Sequence, residues 1–493
     1  MSDRSDKFPG STPSRIIEDL SRENDRLRSE LEKAKRDSER IERERQHLER
    51  ERDRLRQQYD RLKRQLDAAR RAGFRQAAPF SRGAPKRKPA KPGRKRGTAY
   101  GRKARRKKPP RIDKQLDAPL PAHCPGCGGD VREERVATQF QTDIPPTRPI
   151  VLQFNVHIGS CTKCKRRVQG RHPLQTSDAL GAARSQVGPN AVALAVFLNK
   201  QLGLSFGKVV TLLYRRFGLK ITRSGLVQAM HRAAERAAPS YEVLCKTVRG
   251  SPMVVPDETG WKVNAKLWWL HVFTTPETTV YSIAEGRGFA EAAAILGKDF
   301  DGTLVRDGWA PYRQFLNAEH QTCLAHLLRR CGELIEDHPQ ARLPRKVKKL
   351  LLAALELRAR FQREEITRHG LNVARGKITE KMVRAIESPG KIADMKRFAG
   401  HLTTEFMALF TFLFDPAIDA TNWRAETGLR PAVITRKVCG GGNRTERGAR
   451  TQQVLASVLR TAAQREVDPS KLIVSMLRSA QPVVPHALRP PAL

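Results

Sequence analysis

The stretch Met253-Val-Val-Pro-Asp-Glu-Thr259 reads as a short apolar strand that ends by presenting the carboxylate of Asp257. The same device recurs downstream, where Thr303-Leu-Val-Arg-Asp307-Gly-Trp309 runs an apolar strand into an acid with a turn-forming glycine beyond it. Between them, Leu267 to Thr274 and Thr279 to Ile283 are rich in aromatic and β-branched residues and predict two more strands, followed by a helix over Phe289 to Leu296. Adjacent strands lie about 4.8 Å apart, so acids at the ends of two strands of one sheet can converge on a cation. Ligands of such sheets tend to sit beyond strand ends. A third acid, Glu426, falls in Thr421-Asn-Trp-Arg-Ala-Glu-Thr-Gly-Leu-Arg-Pro431, read as a short helix bounded by Pro431. Three carboxylates make an all-oxygen site suited to Mg2+ or Mn2+. With phosphate oxygens shared, a site of this kind holds two ions about 3.5–4 Å apart and supports in-line displacement at a phosphodiester.

Each acid has a competitor. Glu258 alternates to the other side of the strand from Asp257, where a solvated face is the ordinary expectation. Asp299 and Asp301 precede the second strand and read as turn residues, and Glu446 sits in a Gly- and Arg-rich loop where an ion pair is the simpler role. His326 follows Cys323 by three residues on an expected helix, compatible with a structural role or with contact to the scissile phosphate. From Pro311 to Phe414 the pattern is mainly helical, read as a helical insertion into the sheet domain.

Upstream, Cys124-Pro-Gly-Cys127 and Cys161-Thr-Lys-Cys164 are separated by 33 residues. Four thiolates at this spacing can close a tetrahedral structural Zn2+ site, a zinc ribbon, with the alternating Gln153 to Ile158 as one of its strands. A redox or metal-free pair of knuckles is the other reading. Three helices are expected over Ala191 to Leu202, Ser205 to Phe217 and Arg223 to Arg236. The last two fit a helix-turn-helix with Arg223, Gln228, His231 and Arg232 on its second helix, and equally a plain bundle packed on the next domain.

Further toward the N-terminus, Ile17 to Ala69 carries a heptad repeat in a segment rich in Glu and Arg and free of Gly and Pro. This argues for a coiled coil and self-association, with a single charged helix as the alternative. From Arg82 to Arg111 half the residues are Lys or Arg, interleaved with Pro and Gly, so no core can form. This basic arm, with Arg94, Lys95, Arg96, Arg102, Lys103, Arg105 and Arg106 at its centre, can neutralise phosphates but cannot read sequence alone.

Composition agrees. In 493 residues, 93 Lys plus Arg against 51 Asp plus Glu give a net charge of +42, which fits a polyanionic partner, and 39% hydrophobic content fills at least one sizeable core. No apolar run reaches a membrane-spanning length, so the expectation is a protein without a membrane partner, cytoplasmic and nucleoid-associated. The cysteines pair as metal-site knuckles more than as a disulfide framework.

The phrases Asp257-Glu-Thr-Gly-Trp261, Arg306-Asp-Gly-Trp-Ala-Pro-Tyr312, Cys323-Leu-Ala-His-Leu-Leu-Arg-Arg330, Asn422-Trp-Arg-Ala-Glu426 and Gly441-Gly-Asn-Arg444 resemble those of the IS66-type insertion-sequence transposases. So does the order of segments along nearly the whole chain. Trp423 and Thr427 depart from the family pattern, which has Asn and Arg there. The resemblance implies a multidomain α+β protein. Its parts are a coiled coil over 15–72, a disordered basic arm over 80–115, a zinc ribbon over 118–172 and a helical segment over 185–240. A ribonuclease-H-like α/β catalytic domain is expected over 250–320 and 415–475, with a helical insertion at 321–414. It further implies an Asp-Asp-Glu triad at Asp257, Asp307 and Glu426, with His326 as a helper. The activity implied is metal-dependent strand cleavage and transfer on double-stranded DNA, the element's terminal repeats and its target. The protein would act as a homodimer or higher oligomer, with accessory proteins of the element. Two other readings stay open: an inactive or domesticated DNA-binding regulator, and a two-metal nuclease without strand transfer.

Overall fold

The computed structural model describes most of residues 18–51, residues 108–179 apart from 146, and residues 186–438 and 441–479. It divides into two units, Met1–Ala104 and Arg105–Leu493. The basic arm up to residue 107, and the expected coiled coil beyond residue 51, lie outside the described residues. In the first unit the described residues are helical and leave Leu27, Leu31, Ile41 and Leu48 exposed.

The second unit begins with the cysteine knuckles. Each closes on itself: the Gly128 and Lys165 amides donate to the Cys124 and Cys161 carbonyls at 2.8 and 2.9 Å. Gly128 and Lys165 both adopt positive φ. Strands β1 (Ile158–Ser160) and β2 (Arg167–Gln169) pair antiparallel. The strand expected over Gln153 to Ile158 is absent, because β2 has three residues and offers pairing only from Ile158 onward.

The remainder is organised on a five-stranded sheet of order β5-β4-β3-β6-β7. It consists of β3 (Met253–Val263), β4 (Lys266–Thr274), β5 (Thr279–Ala284), β6 (Thr303–Arg306) and β7 (Glu319–Thr322). The first three form an antiparallel meander, and β6 and β7 run parallel to β3. Asn264 and Ala265, both at positive φ, make the two-residue turn between β3 and β4. Strand β3 therefore continues six residues past Asp257, which sits mid-strand and not at a strand end. Strand β7 escapes sequence reading because Glu-His-Gln-Thr has neither apolar alternation nor length.

Strand alternation sends even and odd positions of β3 into two cores. Val254 and Leu304 join a core with α1 (Pro189–Val196, extended by a π-helical turn Phe197–Gln201), α2 (Phe206–Phe217), α3 (Arg223–Arg249) and α4 (Phe289–Leu296). Val255 and Val305 join the opposite core with α5 (Leu324–Asp337), α6 (Leu343–Gln362), α7 (Arg368–Glu387) and α8 (Ala393–Thr404). The short α9 (Thr411–Phe414) and α10 (Trp423–Val438) complete that side, while α11 (Glu446–Gln464) and α12 (Pro469–Arg478) pack mainly with the first core.

Two helices run on through a proline: the one expected over Arg223 to Arg236 reaches Arg249, and the one expected to be bounded by Pro431 reaches Val438. Helix α3 runs through Pro239 because Ala237, Ser240, Tyr241 and Leu244 around it are all buried, and that packing outweighs one missing backbone bond and a steric cost of about 3 kcal/mol. Helix α10 runs through Pro431 in the same way, with Gly428, Leu429, Ala432 and Val433 around it buried.

Candidate active site

Asp257 shares a strand face with Val255, and Asp307, one residue past β6, shares a face with Val305, so both acids are directed to the side covered by α5 and α10. The parallel register Met253↔Thr303 and Val254↔Leu304, carried forward, sets Asp257 level with Asp307. Pairing between β3 and β6 is confined to Met253 and Val254, however, so the two strands are not ladder partners where the acids stand, and the cleft is the region between Asp257, Asp307 and Glu426. Glu426 enters from the first turn of α10 and His326 from the first turn of α5.

The electrostatics report this crowding. Burial, followed by the charges of Glu258 and Asp307 and a smaller effect of Glu426, pushes the Asp257 carboxyl up to about 8. A bond from the Glu258 amide to Asp257 Oδ1 at 2.8 Å opposes the shift. Burial and the Arg329 guanidinium pull His326 below the ordinary imidazole value, against Asp307 and Glu426. His326 Nδ1 is buried with no hydrogen-bond partner. Glu426 lies 3.9 Å from Arg329. The Asp307 carboxylate accepts from the Trp309 amide at 2.9 Å.

A side chain that sequence reading passed over ties these parts together. Asn422 is fully buried; its amide nitrogen Nδ2 donates to Asp257 Oδ2 at 3.4 Å, and its Oδ1 accepts from Cys323 Sγ at 3.1 Å. Its carbonyl receives the Glu426 amide at 3.1 Å, starting α10. One residue thus spans Asp257, the start of α5 and the helix that carries Glu426. The phrase Asn422-Trp-Arg-Ala-Glu426 held the signal, but only contact geometry gives Asn422 this role.

Glu258 corrects an expectation. It is on the opposite face, as alternation required, yet its side chain is 2% exposed and not solvated. Arg287 binds its Oε1 at 2.7 Å and the Tyr312 hydroxyl donates to Oε2 at 2.7 Å. The Arg287 guanidinium is in turn stacked on Trp269 and Trp309, 4.7 and 4.0 Å from the ring centroids. Trp309 Nε1 donates to the Arg287 carbonyl at 3.1 Å. The loop bearing Asp307 is therefore fastened to β3 from behind.

A family model described as Transposase IS66 family matches residues 184–451. The chain belongs to the IS66 transposase family. No curated protein matches it. The matched span takes in the five-stranded sheet of this transposase and all four candidate residues, Asp257, Asp307, His326 and Glu426, and stops within α11. The cysteine knuckles and the basic arm lie outside it.

The transposase gathers its other predicted residues less completely. The Cys124 and Cys161 thiols are held below the ordinary value, chiefly by backbone amides of their own knuckles. Among the described residues no group of three or more His, Cys, Asp or Glu is placed to hold a metal ion, at the cysteine knuckles or beside Asp257. Arg94, Lys95, Arg96, Arg102, Lys103, Arg105 and Arg106 lie outside the described residues. Arg223 and Arg232 are exposed on α3. His231, expected beside them, is instead buried against α11, with Nδ1 2.6 Å from Thr451 Oγ1. That helix packs lengthwise on α11 through Arg447–Glu235 and Arg450–Glu242 ion pairs, which is how a bundle helix behaves. Among the described residues no helix is long and apolar enough to cross a membrane.

Proposed function

We propose that this transposase cleaves and joins DNA strands at the ends of its element through Asp257, Asp307 and Glu426, in a ribonuclease-H-like domain interrupted by the helices of residues 321–414. The observation that carries this reading is geometric: the β3–β6 register, carried forward, sets Asp257 level with Asp307, and Glu426 stands in the first turn of α10; burial and Glu258, then Asp307 and Glu426, raise the Asp257 carboxyl. Carboxylates offered from two strands and a helix supply the oxygen donors a hard divalent cation, Mg2+ or Mn2+, prefers. When bound, the metal would polarise the scissile phosphate and activate the attacking water or 3′ hydroxyl. The chain's own contribution is to hold the three carboxylates: Asn422 orients Asp257, the Glu258–Arg287–Trp309 assembly fixes the Asp307 loop, and α10 presents Glu426. A mixed sheet with an antiparallel meander on one side of β3 and parallel strands on the other supports the domain assignment.

The deciding experiment incubates the full chain and Mg2+ with a duplex carrying the element's terminal repeats. Joined ends support strand transfer. Cleavage without joining makes it a nuclease, and tight binding without cleavage makes it a regulator.

The two knuckles present thiols in matched backbone settings, and we assign them together to one structural zinc site. About one zinc per chain is expected by elemental analysis. Cys124→Ser with Cys161→Ser should release it and leave the melting of the sheet domain unchanged; retention of zinc counts against the assignment. The exposed Leu27, Leu31, Ile41 and Leu48 support self-association through a coiled coil.

A further inference from the structure

Between Asp178 and Glu235 the chain contains no Asp or Glu. Within that span the described residues carry Lys200, Lys208, Arg215, Arg216, Lys220, Arg223 and Arg232. Lys200 is buried and donates to Gln452 at 2.8 Å, so it belongs to the core. The others are exposed. A basic tract with no acid is common in unfolded arms, but this one is built into helices α1 to α3, which share a core with the catalytic sheet.

Four of these cations converge. Lys208, Arg215, Arg216 and Arg223 line one open groove of about 780 Å3, together with Ser205, Gly207, Thr211 and Leu212. Positions 208, 211, 212 and 215 fall on one face of α2, seven residues end to end, or about 10 Å along the helix. That is roughly the axial run of three phosphates on one strand of a duplex. Arg223 comes from the start of α3 and lies flat across Gly207, where even a methyl group would come within 3.2 Å of its guanidinium. No carboxylate lines the groove, and the nearest acids along α3, Glu235 and Glu242, are taken by Arg447 and Arg450. Like charges assembled on rigid backbone repel one another, and a polyanion relieves that repulsion.

We propose that this groove is a backbone clamp for duplex DNA, in which Lys208, Arg215 and Arg216 of α2 and Arg223 at the start of α3 contact neighbouring phosphates. The clamp rests on the reading of the protein as one that acts on DNA. It differs from recognition by α3, whose length is occupied by α11. Because the groove shares a rigid core with the sheet, it fixes the orientation of the duplex relative to the cleft, which an unstructured arm cannot do. Phosphate contacts of this kind position the duplex and do not read its sequence.

The test is salt-dependent duplex binding by the full chain without divalent metal, so that cleavage plays no part. With Lys208, Arg215, Arg216 and Arg223 all changed to Ala, the slope of log affinity against log salt between about 50 and 200 mM should fall by about 0.9 for each phosphate left unneutralised, about 3 to 4 in all. Affinity should weaken equally for two unrelated duplexes. The milder pair Arg215→Gln and Arg216→Gln should lower the slope by about 2, and Arg215→Lys with Arg216→Lys should keep it. An unchanged slope in a pair variant that melts like the parent overturns the clamp, as does a change seen for single-stranded RNA but not for duplex. Asp257→Ala should retain the parental slope. If the slope responds as described in a protein that never cleaves, the clamp stands and the catalytic reading falls.

Discussion

Asp257→Ala is expected to abolish strand cleavage and joining while leaving duplex affinity within about twofold. The expectation follows from its position. Asp257 sits mid-strand at the point where β3 loses β6 as a neighbour, and Asn422 links it directly to both α5 and α10. Under the proposed triad, removing it deletes a metal-binding oxygen together with the anchor of the Asn422 amide. Loss of metal-assisted catalysis is worth several kcal/mol of transition-state stabilisation, so the rate should fall by about 10^3-fold or more. None of the residues lining the groove beneath α2 belongs to the cleft, so binding should survive. The measurement is single-turnover cleavage of an end-labelled duplex beside an equilibrium titration. Cleavage within about tenfold of the parent would remove Asp257 from the triad.

The same carboxyl sets a dependence of stability on pH in the metal-free protein. Its value rises from 3.8 to about 8 on folding, chiefly through burial and then the neighbouring acids. Between those limits the folded chain holds a proton that the unfolded chain has released. The folded state therefore binds more protons, and stability falls as pH rises through the window from about 4 to about 8. Asp257→Asn removes this liability and should raise the melting temperature at pH 8 relative to the parent, with little change at pH 4. Mg2+ should narrow the gap at pH 8, since it neutralises the same charge.

The sequence disclosed the acids and concealed what holds them. The apolar runs that lead into Asp257 and Asp307 are legible in the order of residues, because strands buried on both faces read as continuous apolar stretches. Alternation also put Glu258 opposite Asp257, correctly. What it could not supply was the cover on that face: Arg287, Trp309 and Tyr312 are 29, 51 and 54 residues away in sequence, and only the fold brings them to Glu258. The helix ends differ for a related reason. Pro239 and Pro431 carry a local penalty that sequence rules count, whereas the burial of the helices around them belongs to tertiary structure. His231 likewise looked like a surface residue of α3 until α11, from 220 residues downstream, covered it.

Glu405→Ala is expected to destabilise the sheet domain by about 3–5 kcal/mol and to disable the cleft without touching a catalytic acid. Glu405 ends α8 and is itself fully buried in its side chain. Its Oε2 accepts from Arg306 at 2.7 Å and from the Thr322 hydroxyl at 2.6 Å, and its Oε1 from Arg313 at 2.9 Å. Arg306 immediately precedes Asp307, so one carboxylate at the end of α8 grips both sides of the Asp307 loop. Burial alone would raise the Glu405 carboxyl, but the Thr322 bond and the Arg306 and Arg313 guanidinium groups outweigh it and hold it below its ordinary value. Its contribution to stability is thus present at neutral pH and is lost as pH falls through the depressed value. Alanine leaves the Arg306 guanidinium, 3% exposed, as an uncompensated buried charge. Pairing Glu405→Leu with Arg306→Met removes both charges and should recover most of the stability, because an apolar pair of similar volume avoids the desolvation cost. Cleavage should not return with it if the ion pair sets the position of Asp307. Chemical unfolding and single-turnover cleavage on the same three proteins separate the two roles: recovery of both together would make Glu405 a packing residue, and recovery of stability alone makes it a positioning residue for Asp307.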